Sequence, residues 1–129
     1  MLTALGRMGI VHTRVIVFSP DSSRQRELDM IVDTGSFLTW APEEMLTDLG
    51  YRPSEVRRFR TVEGELIDRA VCEAKVECQG RRASTFVAFA QSKDAHVLGA
   101  YTMEGLGLEV DPGARALKKV DVYLALVTA

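Results

Sequence analysis

Apolar and polar positions alternate along this chain in short runs, and turn residues punctuate the runs. "GIVHTRVIVFSP" (9–20) alternates, is rich in β-branched residues and predicts a strand. "DSSRQRE" (21–27) is polar and predicts a hairpin loop. "LDMIVD" (28–33) predicts a second strand, and "FLTWA" (37–41) resumes extended structure after an interruption at "DTGS" (33–36). "PEEMLTDLG" (42–50) predicts a short helix. Pro42 suits a first turn that needs no backbone N–H, and Glu43 and Glu44 complement the positive end of the helix dipole. Met45, Leu46 and Leu49 share one face, and Gly50 is a C-terminal stop.

Further on, "VRRFRTV" (56–62) and "ELIDRAVCEAKVEC" (65–78) predict strands flanking a turn at Glu63 and Gly64. "QG" (79–80) is another turn, "RRASTFVAFA" (81–90) another strand and "QSKDA" (91–95) a loop. "HVLG" (96–99) is an apolar run stopped by glycine. "AYTMEGLG" (100–107) fits a short helix with Met103 and Leu106 three apart and Gly107 closing it. "LEV" (108–110), the turn "DPGA" (111–114) and "LKKVDVYLALV" (117–127) finish the chain as strands. The sum is an all-β chain, mainly β with two short helices, and it favours a closed β architecture.

The length of 129 residues suits one domain with a real core, and no repeat, low-complexity tract or linker divides it. A formal net charge of −2 gives no reason to expect nucleic acid or an anionic membrane surface as a partner. No apolar stretch is long enough to span a bilayer, and the first ten residues lack the apolar core of a secretory signal. Cys72 and Cys78 would lie on one face of a strand roughly 20 Å apart, beyond disulfide reach. Their spacing, with distant histidines, also makes a poor zinc site. Two reduced thiols in a cytoplasmic protein, with no metal and no cofactor, is the expectation.

The interruption at Asp33 has two readings on its own. Asp and Thr after a strand can form a side-chain-capped turn with glycine supplying the dihedral, or the carboxylate can be presented for chemistry. The context adds a second block. "IVDTGSFLTWAPEEMLTDLG" is followed some 65 residues later by "HVLGAYTMEGLGLEVDP". In order and spacing the two blocks resemble the retropepsin-like aspartic proteases, in particular their small single-domain prokaryotic members. Those proteins have an apolar strand running into Asp-Thr/Ser-Gly-Ala/Ser, a hairpin flap, an apolar-apolar-Gly strand and a short helix. The resemblance covers roughly Met8 to the C-terminus, with residues 1–7 as an extension.

The resemblance implies a closed, six-stranded-type β-barrel per subunit and a homodimer. Asp33 is the one aspartate here in a D-[ST]-G context, so one chain supplies half a site. Two Asp33 carboxylates would hold a water, share one proton and hydrolyse a peptide bond. Thr34 would brace the partner loop, and Gly35 would offer its carbonyl to substrate backbone. Ser36 would support the carboxylate network. The resemblance places Val62, Glu63 and Gly64 at the flap tip, where the acidic "VEGE" departs from the glycine-rich viral flap. Val62, Val97, Leu98 and residues near Phe37 would line apolar pockets, and Gly99 would permit close backbone approach. Viral relatives place arginine after that glycine, where Ala100 stands here. His12 and His96 read as structural or surface residues, and Trp40 as a core or pocket-wall aromatic. "RQRE" (24–27) and "RRFR" (57–60) read as solvated charges. The expected function is an aspartic endopeptidase acting on an extended peptide. The alternatives are a catalytically silent or very slow peptide-binding module of the same fold, and a small β-barrel scaffold domain in which "DTG" is only a turn.

Overall fold

The structure, a computed structural model, describes residues 10–121. The expected 1–7 extension and residues 122–127 of the last expected strand lie outside the described residues. The first described elements are β1 (His12–Phe18), β2 (Gln25–Asp33), β3 (Thr39–Pro42) and α1 (Glu43–Leu49). They are followed by β4 (Glu55–Arg60), β5 (Leu66–Cys78), β6 (Arg81–Ala90) and β7 (Val97–Gly99). The chain continues through α2 (Ala100–Leu106), β8 (Leu108–Asp111) and β9 (Ala116–Lys119).

Hydrogen-bonded neighbours run β1-β2-β7-β3-β6-β5, and β5 pairs back onto β1. Six strands therefore close on themselves, and no edge is left unpaired around the ring. Alternation along each strand fills the interior: Val15 and Val17, Met30 and Val32, and Cys72, Ala74, Val76 and Cys78 are all buried. Both cysteines are free thiols on this inward face of β5, and burial pushes the Cys72 thiol up to about 12. Such a thiol stays protonated and inert.

Two boundaries differ from the sequence pattern. β2 begins at Gln25, inside the expected loop, because its first three residues pair with β1 while exposed to solvent. A ladder solvated there leaves no apolar signal. Pro42 ends β3 and stands at the N-cap of α1 instead of in its first turn. Both helices stop where glycine allows a left-handed residue, Gly50 at φ 102° and Gly107 at φ 66°. The Gln79–Gly80 turn has positive φ at both residues, as a two-residue hairpin loop requires. No helix among the described residues is long and apolar enough to cross a membrane.

β5 is long because it serves two roles. Val71–Cys78 pairs with β6 in the barrel, while Leu66–Ala70 pairs with β4 alone. The β4–β5 hairpin is thus an arm projecting from the barrel. At its root Arg69 donates two bonds to Asp94, Nε to Oδ2 at 2.7 Å and Nη2 to Oδ1 at 3.0 Å. Asp94 also accepts the Gln91 N–H, so the 91–96 loop is fastened to the arm. Arg69 holds the Asp94 carboxyl below its ordinary range, against the opposing effect of burial. A depressed carboxyl stabilises the fold above its unfolded pKa and loses that contribution as pH falls through the folded one. Asp94→Asn should therefore cost about 1–3 kcal/mol near neutrality. The gap to the parent chain should close in urea titrations carried below about pH 4.

Candidate active site

β2 delivers Asp33. Met30 and Val32 point into the core, and the strand ends with Asp33 in register with Gly99 of β7. The Asp33 side chain is buried, with the residue 1% exposed. Its Oδ1 accepts the Gly35 N–H at 3.0 Å, and its backbone carbonyl accepts the Ser36 N–H at 3.1 Å. Its Oδ2 is buried and has no hydrogen-bond partner among the described residues. Burial raises the Asp33 pKa, and the Gly35 N–H opposes that rise. An orphaned buried oxygen of this kind is costly and marks a group kept for chemistry or for a partner.

The loop after Asp33 is clamped from below. β7 lies between β2 and β3, so it runs under the 34–38 segment that joins them. Ala100 donates its N–H to the Ser36 carbonyl at 2.8 Å, and Tyr101 donates to the Phe37 carbonyl at 3.0 Å. The Ser36 hydroxyl donates to the Leu38 carbonyl at 2.7 Å. Gly99 permits the close pass: a Cβ there would stand 2.3 Å from the Leu38 carbonyl oxygen. The Gly99 N–H donates to Thr39 Oγ1 at 3.0 Å. Thr39 Oγ1 is 2.6 Å from Thr102 Oγ1, which is 2.7 Å from Thr85 Oγ1. Three buried hydroxyls thus tie β3, α2 and β6 together beneath the loop.

The family model described as "Aspartyl protease" matches residues 22–110, more than half of the chain. The chain belongs to the retropepsin-like aspartyl protease family. Among solved structures, it is similar to one described as the solution structure of Simian Foamy Virus (mac) protease. The two share 21% identity at a TM-score of 0.51, and the match covers 71% of this chain and 90% of that one. That likeness speaks to fold: mostly β, two short helices and a closed six-stranded barrel. A comparison with curated proteins gives no match.

In this aspartyl protease the residues singled out from sequence fall into three groups. Thr34, Gly35, Ser36 and Phe37 are on the loop with Asp33, with Thr34 and Gly35 exposed, Ser36 buried and Phe37 63% exposed. Val62, Glu63 and Gly64 form the exposed tip of the β4–β5 arm. That tip is a tight loop: Gly64 donates to the Thr61 carbonyl at 2.9 Å, and its φ of 89° suits glycine. Val97 and Leu98 differ from expectation. They are 2% and 0% exposed, and Leu98 belongs to the main core, because β7 is flanked by strands on both sides. Their side chains support the loop and offer no pocket surface in the single chain. Gly99 is buried and structural, as its contact with Leu38 requires.

His12 is exposed at the start of β1, and the His96 carbonyl accepts the Ile31 N–H. Trp40 is half-buried and meets Phe59 of β4 edge-on, with ring centroids 4.8 Å apart. Sequence reading missed Thr39, Thr85 and Thr102. The available signal was a hydroxyl on an apolar face, Thr102 beside Met103 and Thr39 within "FLTWA". No group of three or more His, Cys, Asp or Glu among the described residues is placed to hold a metal. A concavity of about 530 Å³ lies between α1 and the arm root, lined by Glu43, Thr47, Asp48, Pro53 and Phe89, with no residue of the 33–38 loop.

Two consequences can be measured. Gly99→Ala should destabilise the chain by about 3 kcal/mol, since the obstacle is backbone and cannot rotate away; equilibrium urea unfolding reads it. Asp33 has a raised carboxyl, so it favours the fold in acid and loses that contribution as pH rises through the folded pKa. Asp33→Asn should therefore raise the melting temperature at pH 7, and the gain should vanish toward pH 3. A gain independent of pH would contradict that origin.

Proposed function

We propose that the chain works as a homodimeric aspartic endopeptidase, with the catalytic domain spanning 8–129 and Asp33 of each subunit meeting at a two-fold axis. The buried Asp33 Oδ2, without a hydrogen-bond partner among the described residues, carries this reading. One chain provides one such carboxyl, and a second copy supplies both a like group and the means to share a proton.

The chemistry follows from the pair. Two adjacent carboxylates cannot both ionise cheaply, so the dyad holds one proton and titrates as a unit. A water between them gives a proton to the ionised carboxylate as its oxygen attacks the peptide carbonyl carbon. The protonated carboxyl gives its proton to the carbonyl oxygen. The tetrahedral adduct then collapses: the C–N bond breaks, the amine nitrogen takes up a proton, and the dyad is restored. Thr34, exposed beside Asp33, braces the partner loop. Gly35 and Ser36 present backbone to an extended peptide, and the 61–65 tip closes over it as a flap.

The test is cleavage of an apolar peptide by the full chain at mildly acidic pH, alongside sedimentation. Asp33→Asn should lower kcat/KM by roughly 10⁴-fold or more while the dimer persists. Cleavage that survives this substitution, or a chain that is active as a monomer, rules out the paired-carboxylate reading. A dimer that binds peptide and never cleaves it favours the silent binding module instead.

A further inference from the structure

Three aromatic rings stand beside the catalytic loop without a role in the chemistry above. Phe37 and Tyr101 have ring centroids 5.3 Å apart, and Tyr101 and Phe86 are 5.7 Å apart. The Arg57 guanidinium lies 5.3 Å from the Phe86 ring centre. Phe37 is 63% exposed and Tyr101 38%, while Phe86 is half-buried. The strip is built on fixed points: the Tyr101 N–H holds the Phe37 carbonyl, and Phe86 is on β6 packed against a cluster of Leu38, Val71 and Ala88.

We propose that Phe37, Tyr101 and Phe86 form a specificity shelf that selects peptides carrying a large apolar side chain away from the scissile bond. The location decides the occupant. One end of the strip is the catalytic loop itself, and the other end passes under Arg57 of β4, in the arm that would cover a bound peptide. A peptide running between floor and flap therefore crosses the shelf. Rigid, amphipathic rings supply contact area at low entropic cost, and leaving them exposed in a contiguous strip is unfavourable without a ligand. Arg57 is paired with Glu55, so the strip presents no unbalanced charge and suits an apolar or aromatic side chain over an acidic one. The inference rests on the protease reading for the path of the substrate.

The experiment uses the full chain and a series of ten-residue peptides with one fixed apolar central pair. A single Phe replaces Ser at each outer position in turn. Cleavage by the parent chain is measured, together with binding to the Asp33→Asn form through fluorescence of Trp40, the one tryptophan in the sequence. One outer position should raise kcat/KM roughly tenfold, mainly through KM, with a matching change in Kd. Tyr101→Ser should bring the ratio of Phe-peptide to Ser-peptide near one, and Tyr101→Phe should restore it. A ratio that survives both Tyr101→Ser and Phe86→Ser, or no positional preference at all, overturns the shelf. So does a loss shared equally by every peptide. A preference seen in binding without cleavage by the parent chain keeps the shelf and sinks the protease reading. Cleavage without preference does the reverse, and a series neither bound nor cleaved overturns both.

Discussion

The approach of Gly99 to the Leu38 carbonyl is the contact on which the site depends. β7 threads between β2 and β3, and the loop joining those two strands must pass over it. A methyl group at residue 99 would meet the Leu38 oxygen at 2.3 Å. Without that methyl the backbone rises far enough for Ala100 and Tyr101 to reach the Ser36 and Phe37 carbonyls. The same pass sets Asp33 opposite Gly99, so the carboxylate's position is inherited from the strand beneath it. The Thr39, Thr102 and Thr85 hydroxyls then fix β7 from the other side, through the Gly99 N–H. A buried polar chain of this kind stiffens its surroundings only when each member is satisfied.

Such rigidity has a purpose in the energetics of Asp33. Placing a carboxyl at 1% exposure with one oxygen unbonded among the described residues costs stability, and the Gly35 N–H offsets part of it. A softer loop would relax, turning the carboxyl toward water. Here the loop carbonyls are already committed to α2, so relaxation would break hydrogen bonds to relieve one desolvated oxygen. The strain is held in place by the barrel, whose core is filled from six closed strands. Chains commonly sacrifice stability at the site where they do chemistry.

Features written in a few neighbouring residues were legible in the sequence. The strand into "DTGS", the helix stops at Gly50 and Gly107 and the Gln79–Gly80 turn depend on local dihedrals and local pattern. Features created by topology were not. Arg69 and Asp94 are 25 residues apart, and Arg81 reaches the Leu106 and Gly107 carbonyls at the end of α2 from the start of β6. Val97 and Leu98 show the limit most clearly. Their apolar character is equally compatible with a pocket wall and with a core strand, and only the pairing of β7 on both sides decides for the core. The early part of β2 went unread for the converse reason: its ladder is real, but solvent on its exposed residues removes the alternation.

The same distinction between ladder and packing governs the arm. Leu66–Ala70 pairs with β4 and has no second neighbour, whereas from Val71 onward β5 pairs with β6 in the barrel. Bending is therefore cheapest near residue 70, where the strand passes from two-stranded ribbon to closed sheet. Three contacts oppose it there: the Arg69–Asp94 pair, Phe59 against Trp40, and Arg57 over Phe86. The first lies at the root and holds in any position of the tip. Arg57 stands opposite Arg69 at that same level, and Phe59 lies further along β4, opposite Ile67, where its contact must separate before the tip can lift. Phe59 and Arg57 meet rings on β3 and β6, the strands that also carry Thr39 and Thr85. The Asp33 loop and the arm thus share one set of supports on β3 and β6, and what positions Asp33 also sets the resting place of the arm.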